Sequence, residues 1–207
     1  MRIIKGDACV AEGADYLRAL DPRFAHALEL CEPLPLRLKP DGFAALFNAI
    51  IGQQVSVASA NAIWARLQEA GLDRQAPVAN ANEEDLRACG LSRQKIRYGL
   101  ALAQAQIDFD ALRDQPTDEV VKKLTALPGI GPWTAEIYAM FSLGHSDVFA
   151  PGDLALQEGT RLLFDLAERP KPKELAQMAK AWSPWQSVAA RLLWAYYAYN
   201  KRREGVR

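Results

Sequence analysis

The segment Leu127-Pro128-Gly129-Ile130-Gly131-Pro132 leaves only a few residues between two helical stretches, and it constrains the fold more than any other part of the chain. Upstream, Thr117 reads as an N-cap and Asp118 and Glu119 suit the positive end of a helix dipole, while Val120, Val121, Leu124 and Leu127 repeat on one face. Downstream, Pro132 fits the first position of a new helix, Trp133, Ile137, Met140 and Phe141 share a face, and Gly144 closes it. The pattern is helix, tight hairpin, helix. Its two glycines permit backbone conformations and close approaches that side chains would block, so N–H groups at a helix start can point at a phosphate oxygen. A plain turn between two helices satisfies the same pattern.

Helical periodicity dominates the rest of the chain, and no pair of alternating strands joined by a hairpin turn stands out, so the fold is expected to be all-α. Residues 15–31 form one helix or two around Asp21-Pro22, and EPLPLRLKP (32–40) reads as an extended connector. Phe43, Leu46, Phe47 and Ile50 make a stripe ending at Gly52; Ser56 then caps a helix with its own stripe at Ala60, Ile63, Trp64 and Leu67. The Gly52-Gln53-Gln54 turn between them is exposed or lines something. Residues 83–90 and 93–106 give another helix pair. On the last helix, from Pro184, the core face is Trp185, Val188, Leu192, Tyr196 and Tyr199, which leaves Trp194 off it beside Ser187, Ala190, Arg191 and Ala198.

Lys plus Arg equals Asp plus Glu at 25 each, which excludes a binder held to nucleic acid by bulk charge. No apolar run approaches the ~18 residues a bilayer span needs, and the N-terminus shows no signal-peptide core. Cys9, Cys31 and Cys89 are too few and too scattered for a zinc site or iron–sulfur cluster, and His26 and His145 have no supporting constellation, so no metal site is expected.

LPGIGPWTA (127–135) resembles the helix-hairpin-helix element of the base-excision DNA glycosylase superfamily, in which an aspartate follows about twenty residues on; here Pro151-Gly152-Asp153 stands there. IIGQQVSVASA (50–60) and WSPWQS (182–187) resemble the matching segments of its alkylation-repair branch, that of 3-methyladenine DNA glycosylase II. The resemblance implies two helical lobes with a cleft between them that holds Asp153. Residues 42–145 would form the hairpin lobe and residues 1–41 with 146–207 the second, with no room for the β domain that begins the longer bacterial enzyme. It further implies a monofunctional glycosylase: a monomer in the cytoplasm, at the nucleoid, that extrudes alkylated purines (3-methyladenine, 7-methylguanine) from double-stranded DNA and leaves an abasic site. No cofactor is implied beyond a monovalent cation that the hairpin carbonyls can take when DNA is bound.

Asp153 carries the chemistry in this reading. By itself it is a helix N-cap, but an ionised carboxylate beside a deoxyribose C1′ also stabilises oxocarbenium-like charge and orients water. Glycoside hydrolysis usually needs a second carboxyl to protonate the leaving group, whereas a base alkylated at ring nitrogen is already positive and departs neutral. By resemblance Trp133 and Trp194 wall the base pocket, Trp133 at the position where strand-cleaving relatives carry a Schiff-base lysine. Gln53 and Gln54 would probe the minor groove, with Gln54 where the well-known bacterial form has leucine, and Gly129, Gly131 and Thr134 of the hairpin would meet the DNA backbone. The same fold acting on hypoxanthine or uracil is one alternative, and a non-catalytic helix-hairpin-helix DNA-binding module is another.

Overall fold

A computed structural model describes residues 2–204. Its helices are α1 (Asp7–Leu20), α2 (Pro22–Cys31), α3 (Phe43–Gly52), α4 (Val57–Glu69), α5 (Gln75–Asn80), α6 (Glu83–Ala88), α7 (Arg93–Gln104), α8 (Phe109–Leu112), α9 (Thr117–Thr125), α10 (Pro132–Phe141), α11 (Leu154–Leu163), α12 (Pro172–Ala179) and α13 (Gln186–Glu204). The fold is all-α; among the described residues the one β feature is an isolated bridge between Ile3 and His145. No described helix is long and apolar enough to cross a membrane.

Local chemistry sets most boundaries. Asp21, Ser56, Asn82, Ser92 and Asp108 each accept a backbone N–H in the first turn of the helix that follows, relieving donors that have no intrahelical partner. Two expectations change. Thr117 is the first helical residue of α9, and the cap position belongs to Pro116, which has no side-chain acceptor to offer. The first helix begins at Asp7 rather than at residue 15, because its buried face, Val10, Gly13, Ala14 and Leu17, is built partly from small residues that show weakly as a stripe.

The chain divides into two compact units, residues 1–38 with 139–207, and residues 39–138. The second crossing falls at 138/139, earlier than the 145/146 read from sequence, because residues 139–146 pack with the N-terminal segment: Ile4 N–H donates to the Gly144 carbonyl (2.6 Å), Ser146 N–H to Arg2 (3.1 Å), and Ser187 N–H to Ser146 (2.9 Å). His145, fully buried there, is a core residue, whereas His26 is exposed. Helix α10 carries the chain from one unit to the other.

In the first unit α13 packs on α1, α2 and α11. Its walls are buried on more than one side: Trp185, Val188 and Leu192 are in the core as expected, but so are Ser187, Ala190 and Arg191, while Tyr196 and Tyr199 are only half-buried. A cluster of Phe24, Phe149, Phe164 and Trp182, with centroids 5.3–5.9 Å from the Trp182 ring or from each other, fastens α2 to the chain after α12. The helices approach closely where side chains are missing. A Cβ at Gly13 would sit 2.6 Å from Val188, and one at Gly159 of α11 would sit 2.6 Å from the Leu193 carbonyl oxygen of α13. In the second unit Phe47, Leu46, Ile50 and Ile51 of α3 form the core with Leu67, Ile96 and Leu102, and Gly99 makes room for the Phe47 ring.

Backbone cannot yield at Gly159 as a flexible side chain can. Gly159→Ala should therefore destabilise the protein by about 1–3 kcal/mol, despite alanine's better helix propensity. Urea unfolding checks this, and a stabilised variant would mean that α11 and α13 are free to move apart.

Candidate functional site

In the second unit, α9 and α10 are joined by a hairpin closed by Leu127 N–H on Leu124 O (3.1 Å) and Ile130 N–H on Leu127 O (3.2 Å). Gly129 has φ +88°, and a Cβ there would lie 2.3 Å from the Tyr98 ring, so both conformation and packing demand glycine. Gly131 is different. Its φ is not positive and a Cβ would meet nothing within 4 Å. Thr134 is largely buried.

Gln53 and Tyr98 tie this hairpin to the rest of its unit, and Lys95 ties α7 to the end of α3 beside it. Gln53 Nε2 donates to the Gly129 carbonyl (2.8 Å), so its amide is engaged with the hairpin rather than presented alongside Gln54. Tyr98 packs under Gly129, and its hydroxyl accepts from Gln94 Nε2 (2.7 Å), an interaction that with Arg97 lowers the phenol's pKa. Lys95 Nζ donates to Ile51 O at the end of α3 (2.6 Å), and burial lowers its pKa. Gln54, at the apex of the α3–α4 turn, is exposed with φ +57°, a left-handed conformation uncommon for residues other than glycine. Val55 and Val57 beside it are exposed as well, 39% and 77%, so the turn carries two solvent-facing apolar side chains.

Trp133 does not join the core stripe read from sequence, for it is 48% exposed near the start of α10, while Met140 and Phe141 are buried. One turn on, Glu136 is the single charged residue in PWTAEIYAMF, and burial pushes its pKa up to about 7. Sequence reasoning passed over Glu136, although a lone charge in an apolar helix was the available signal. It also passed over Lys95 and Tyr98, whose roles arise from contacts far apart in sequence.

In the first unit, Asp153 caps α11, its Oδ1 accepting from Ala155 N–H (2.9 Å) and Leu156 N–H (3.0 Å). Trp194 Nε1 donates to the same oxygen at 3.1 Å. A carboxylate at a helix N-terminus that also receives an indole N–H is held in one orientation by three donors. The half-buried Trp194 ring lies 5.8 Å from Phe141, tilted by 32°, and the Arg37 guanidinium carbon lies 5.9 Å from the Trp194 centroid. Gln157 braces the approach to Asp153 by donating to Pro151 O (2.8 Å). The structure thus joins Asp153 with Trp194, and Gln53 with Gly129; Trp133 belongs to the second unit with the hairpin.

The description "HhH-GPD superfamily base excision DNA repair protein" matches residues 47–185. The chain belongs to this superfamily. DNA-3-methyladenine glycosylase 1 of Schizosaccharomyces pombe is 30% identical over 191 residues, covering 86% of this chain and 84% of that protein. Among solved structures, a DNA-3-methyladenine glycosidase from Bacillus halodurans is 34% identical with a TM-score of 0.81, covering 99% of this chain and 95% of that one. The S. pombe 3-methyladenine DNA glycosylase in complex with abasic DNA has a TM-score of 0.72 at 27% identity, covering 88% of this chain and 95% of that one. The matched span includes the α9–α10 hairpin and Asp153 at the cap of α11.

The buried Glu136 gives a pH prediction. Its folded pKa, about 7, exceeds the ordinary 4.5, so between these values the native state holds more proton than the unfolded chain and stability declines as pH rises, levelling above about 7. Glu136→Gln removes this dependence. Its melting temperature should exceed wild type at pH 8, with the gap closing toward pH 5; a constant gap across that range would show that Glu136 titrates normally.

Proposed function

We propose that this chain is a monofunctional DNA glycosylase that binds damaged double-stranded DNA, extrudes purines alkylated at ring nitrogen and hydrolyses their N-glycosidic bond, leaving an abasic site. The observation that carries this reading is the Trp194 Nε1 to Asp153 Oδ1 hydrogen bond at the cap of α11, which puts an aromatic ring beside an oriented carboxylate. A module that only gripped DNA backbone needs the hairpin but not this pair. Membership of the base-excision superfamily and the names of its relatives, DNA-3-methyladenine glycosylases, support the substrate class.

In the proposed reaction Asp153 faces C1′, stabilises positive charge as it develops on the sugar and holds or deprotonates the attacking water. The cationic base leaves neutral, so no acid is required. Trp194 stacks on the extruded base, and Trp133, exposed and without an amine, offers a ring face but no Schiff base. Gln54, exposed at the apex of its turn, enters the space the base vacates. Gly131 and the first amides of α10 receive a phosphate: nothing within the protein demands glycine at 131, whereas a backbone-to-phosphate approach does. Thr134 adds its backbone to that contact, and Gln53 contributes through the hairpin it holds. A monovalent cation at the hairpin carbonyls belongs to the same proposal. The enzyme acts as a monomer on nucleoid DNA in the cytoplasm.

Two substitutions test the assignments. Asp153→Asn keeps a side chain that caps helices and an oxygen for Trp194, but removes the charge; base release should fall by roughly 10²-fold or more with little change in melting temperature. Near-normal release by the folded variant would reduce Asp153 to a cap. Gly131→Ala should cost no more than about 1 kcal/mol of stability, since alanine caps a helix less well than glycine but meets no neighbour here, while weakening affinity for abasic-site duplex several-fold. Unchanged affinity would move the phosphate contact away from Gly131.

A further inference from the structure

Arg37 lies over the Trp194 ring, yet base excision as described above has no use for it. Its backbone is in the left-handed region, φ +54°, which a residue with a long side chain rarely adopts without being held there. What holds it is Arg191. The Nε and Nη2 of Arg191 both donate to the Leu36 carbonyl, at 3.2 and 2.9 Å, and its Nη1 donates to Ser187 O and Oγ, at 2.9 and 3.2 Å.

Arg191 is fully buried on α13 and pairs with no carboxylate among the described residues. A buried guanidinium without a counter-ion is unfavourable, and burial together with the Arg37 charge lowers its pKa to about 10. Its donors are spent on fixing the peptide immediately before Arg37, against the helix that carries Trp194. Arg191 is therefore a bracket, and Arg37 is what it presents. Phe141 lies against the Trp194 ring, and the Trp194 indole N–H is tied to Asp153, so Arg37, Trp194 and Asp153 form one continuous group within the first unit.

We propose that Arg37 is a specificity-determining residue that favours 6-oxopurines over 6-aminopurines at the Trp194 ring. The proposal rests on the reading that Trp194 stacks on the extruded base. A guanidinium offers only donors. Toward a purine stacked on Trp194 it can donate to the O6 of 7-methylguanine or hypoxanthine, one of the two acceptors by which arginine reads guanine in duplex DNA, the other, N7, being blocked by the methyl group in 7-methylguanine. The amino group of 3-methyladenine presents a donor instead, so the positive charge that both methylated bases carry toward the guanidinium is offset by a hydrogen bond in 7-methylguanine and not at the amino group of 3-methyladenine.

The test uses the full chain and duplex DNA methylated to contain both 7-methylguanine and 3-methyladenine, with each release rate measured in the same reaction at saturating enzyme. Arg37 is exposed, so Arg37→Ala should fold normally. In this variant the ratio of 7-methylguanine to 3-methyladenine release should fall about tenfold, the worth of one hydrogen bond to a charged group, and hypoxanthine release from a separate duplex should fall alongside it. An unchanged ratio, including the equal fall in both rates that a phosphate contact would give, overturns the proposal. Trp194→Ala separates this from the reading beneath it: if that variant loses both activities while Arg37→Ala leaves the ratio intact, stacking stands and Arg37 selectivity is wrong. Undiminished release by Trp194→Ala overturns both.

Discussion

The close approach of α11 to α13 at Gly159 governs the geometry of the carboxylate site. With no side chain between it and the Leu193 carbonyl, α11 lies near enough that its cap, Asp153, is reached by the indole of the next residue on α13, Trp194. The same oxygen then serves two masters of different kinds: the helix, whose first amides need an acceptor, and the ring, whose N–H needs one. Structural and chemical demands on Asp153 therefore reinforce each other. A carboxylate fixed by three donors loses little freedom when a substrate arrives, which is the condition under which fixed charge stabilises a transition state most effectively.

The hairpin obeys a related logic with different materials. Gly129 is explained entirely from inside the protein, by its backbone conformation and by the Tyr98 ring beneath it; Gly131 is not. Glycines two residues apart in one motif thus answer to different constraints. Gln53 and Lys95 extend the inner constraint outward: one bonds the hairpin carbonyl, the other the end of α3, and both anchor the residues that lead into Gln54. A turn tethered twice at its entry can keep a left-handed residue at its apex, where an untethered loop would relax.

The helical character of the chain, the hairpin and the cap at Asp153 were legible in the sequence because each is a local matter of periodicity, turn chemistry and capping residues. Trp194 was legible as an off-core residue by helical phase, and the structure finds it half-buried against Asp153. Phase failed for its neighbours. Arg191 and Ser187 share that side of α13 but are fully buried, since the connector at Leu36 covers them and supplies a carbonyl for the guanidinium. No rule of periodicity anticipates an arginine satisfied by backbone 155 residues away in sequence. Trp133 departs in the opposite sense from the stripe that apolar spacing gave it, for the first turn of α10 leaves it exposed, and its pocket role rests on the resemblance alone. Gln53 was recognised as belonging to an important turn, but its partner, 76 residues distant, could only come from the fold.

A chain with equal numbers of acids and bases has no net charge to draw it to DNA, so in the proposed complex the attraction comes from local arrangements such as the backbone amides at the hairpin. The charges around Trp194 are likewise local, with Asp153 bonded to its N–H and Arg37 over its ring. In the proposed reaction positive charge leaves the base and moves onto the sugar as the glycosidic bond lengthens. Arg37 then faces a base becoming neutral, and Asp153 faces a sugar becoming positive. Repulsion relaxes at one end while attraction grows at the other, so the two charges assist the same step. Selection for the 6-oxo edge and acceleration of bond cleavage need not compete, because the guanidinium can bind the acceptor on the base while disfavouring the charge that the base is about to lose.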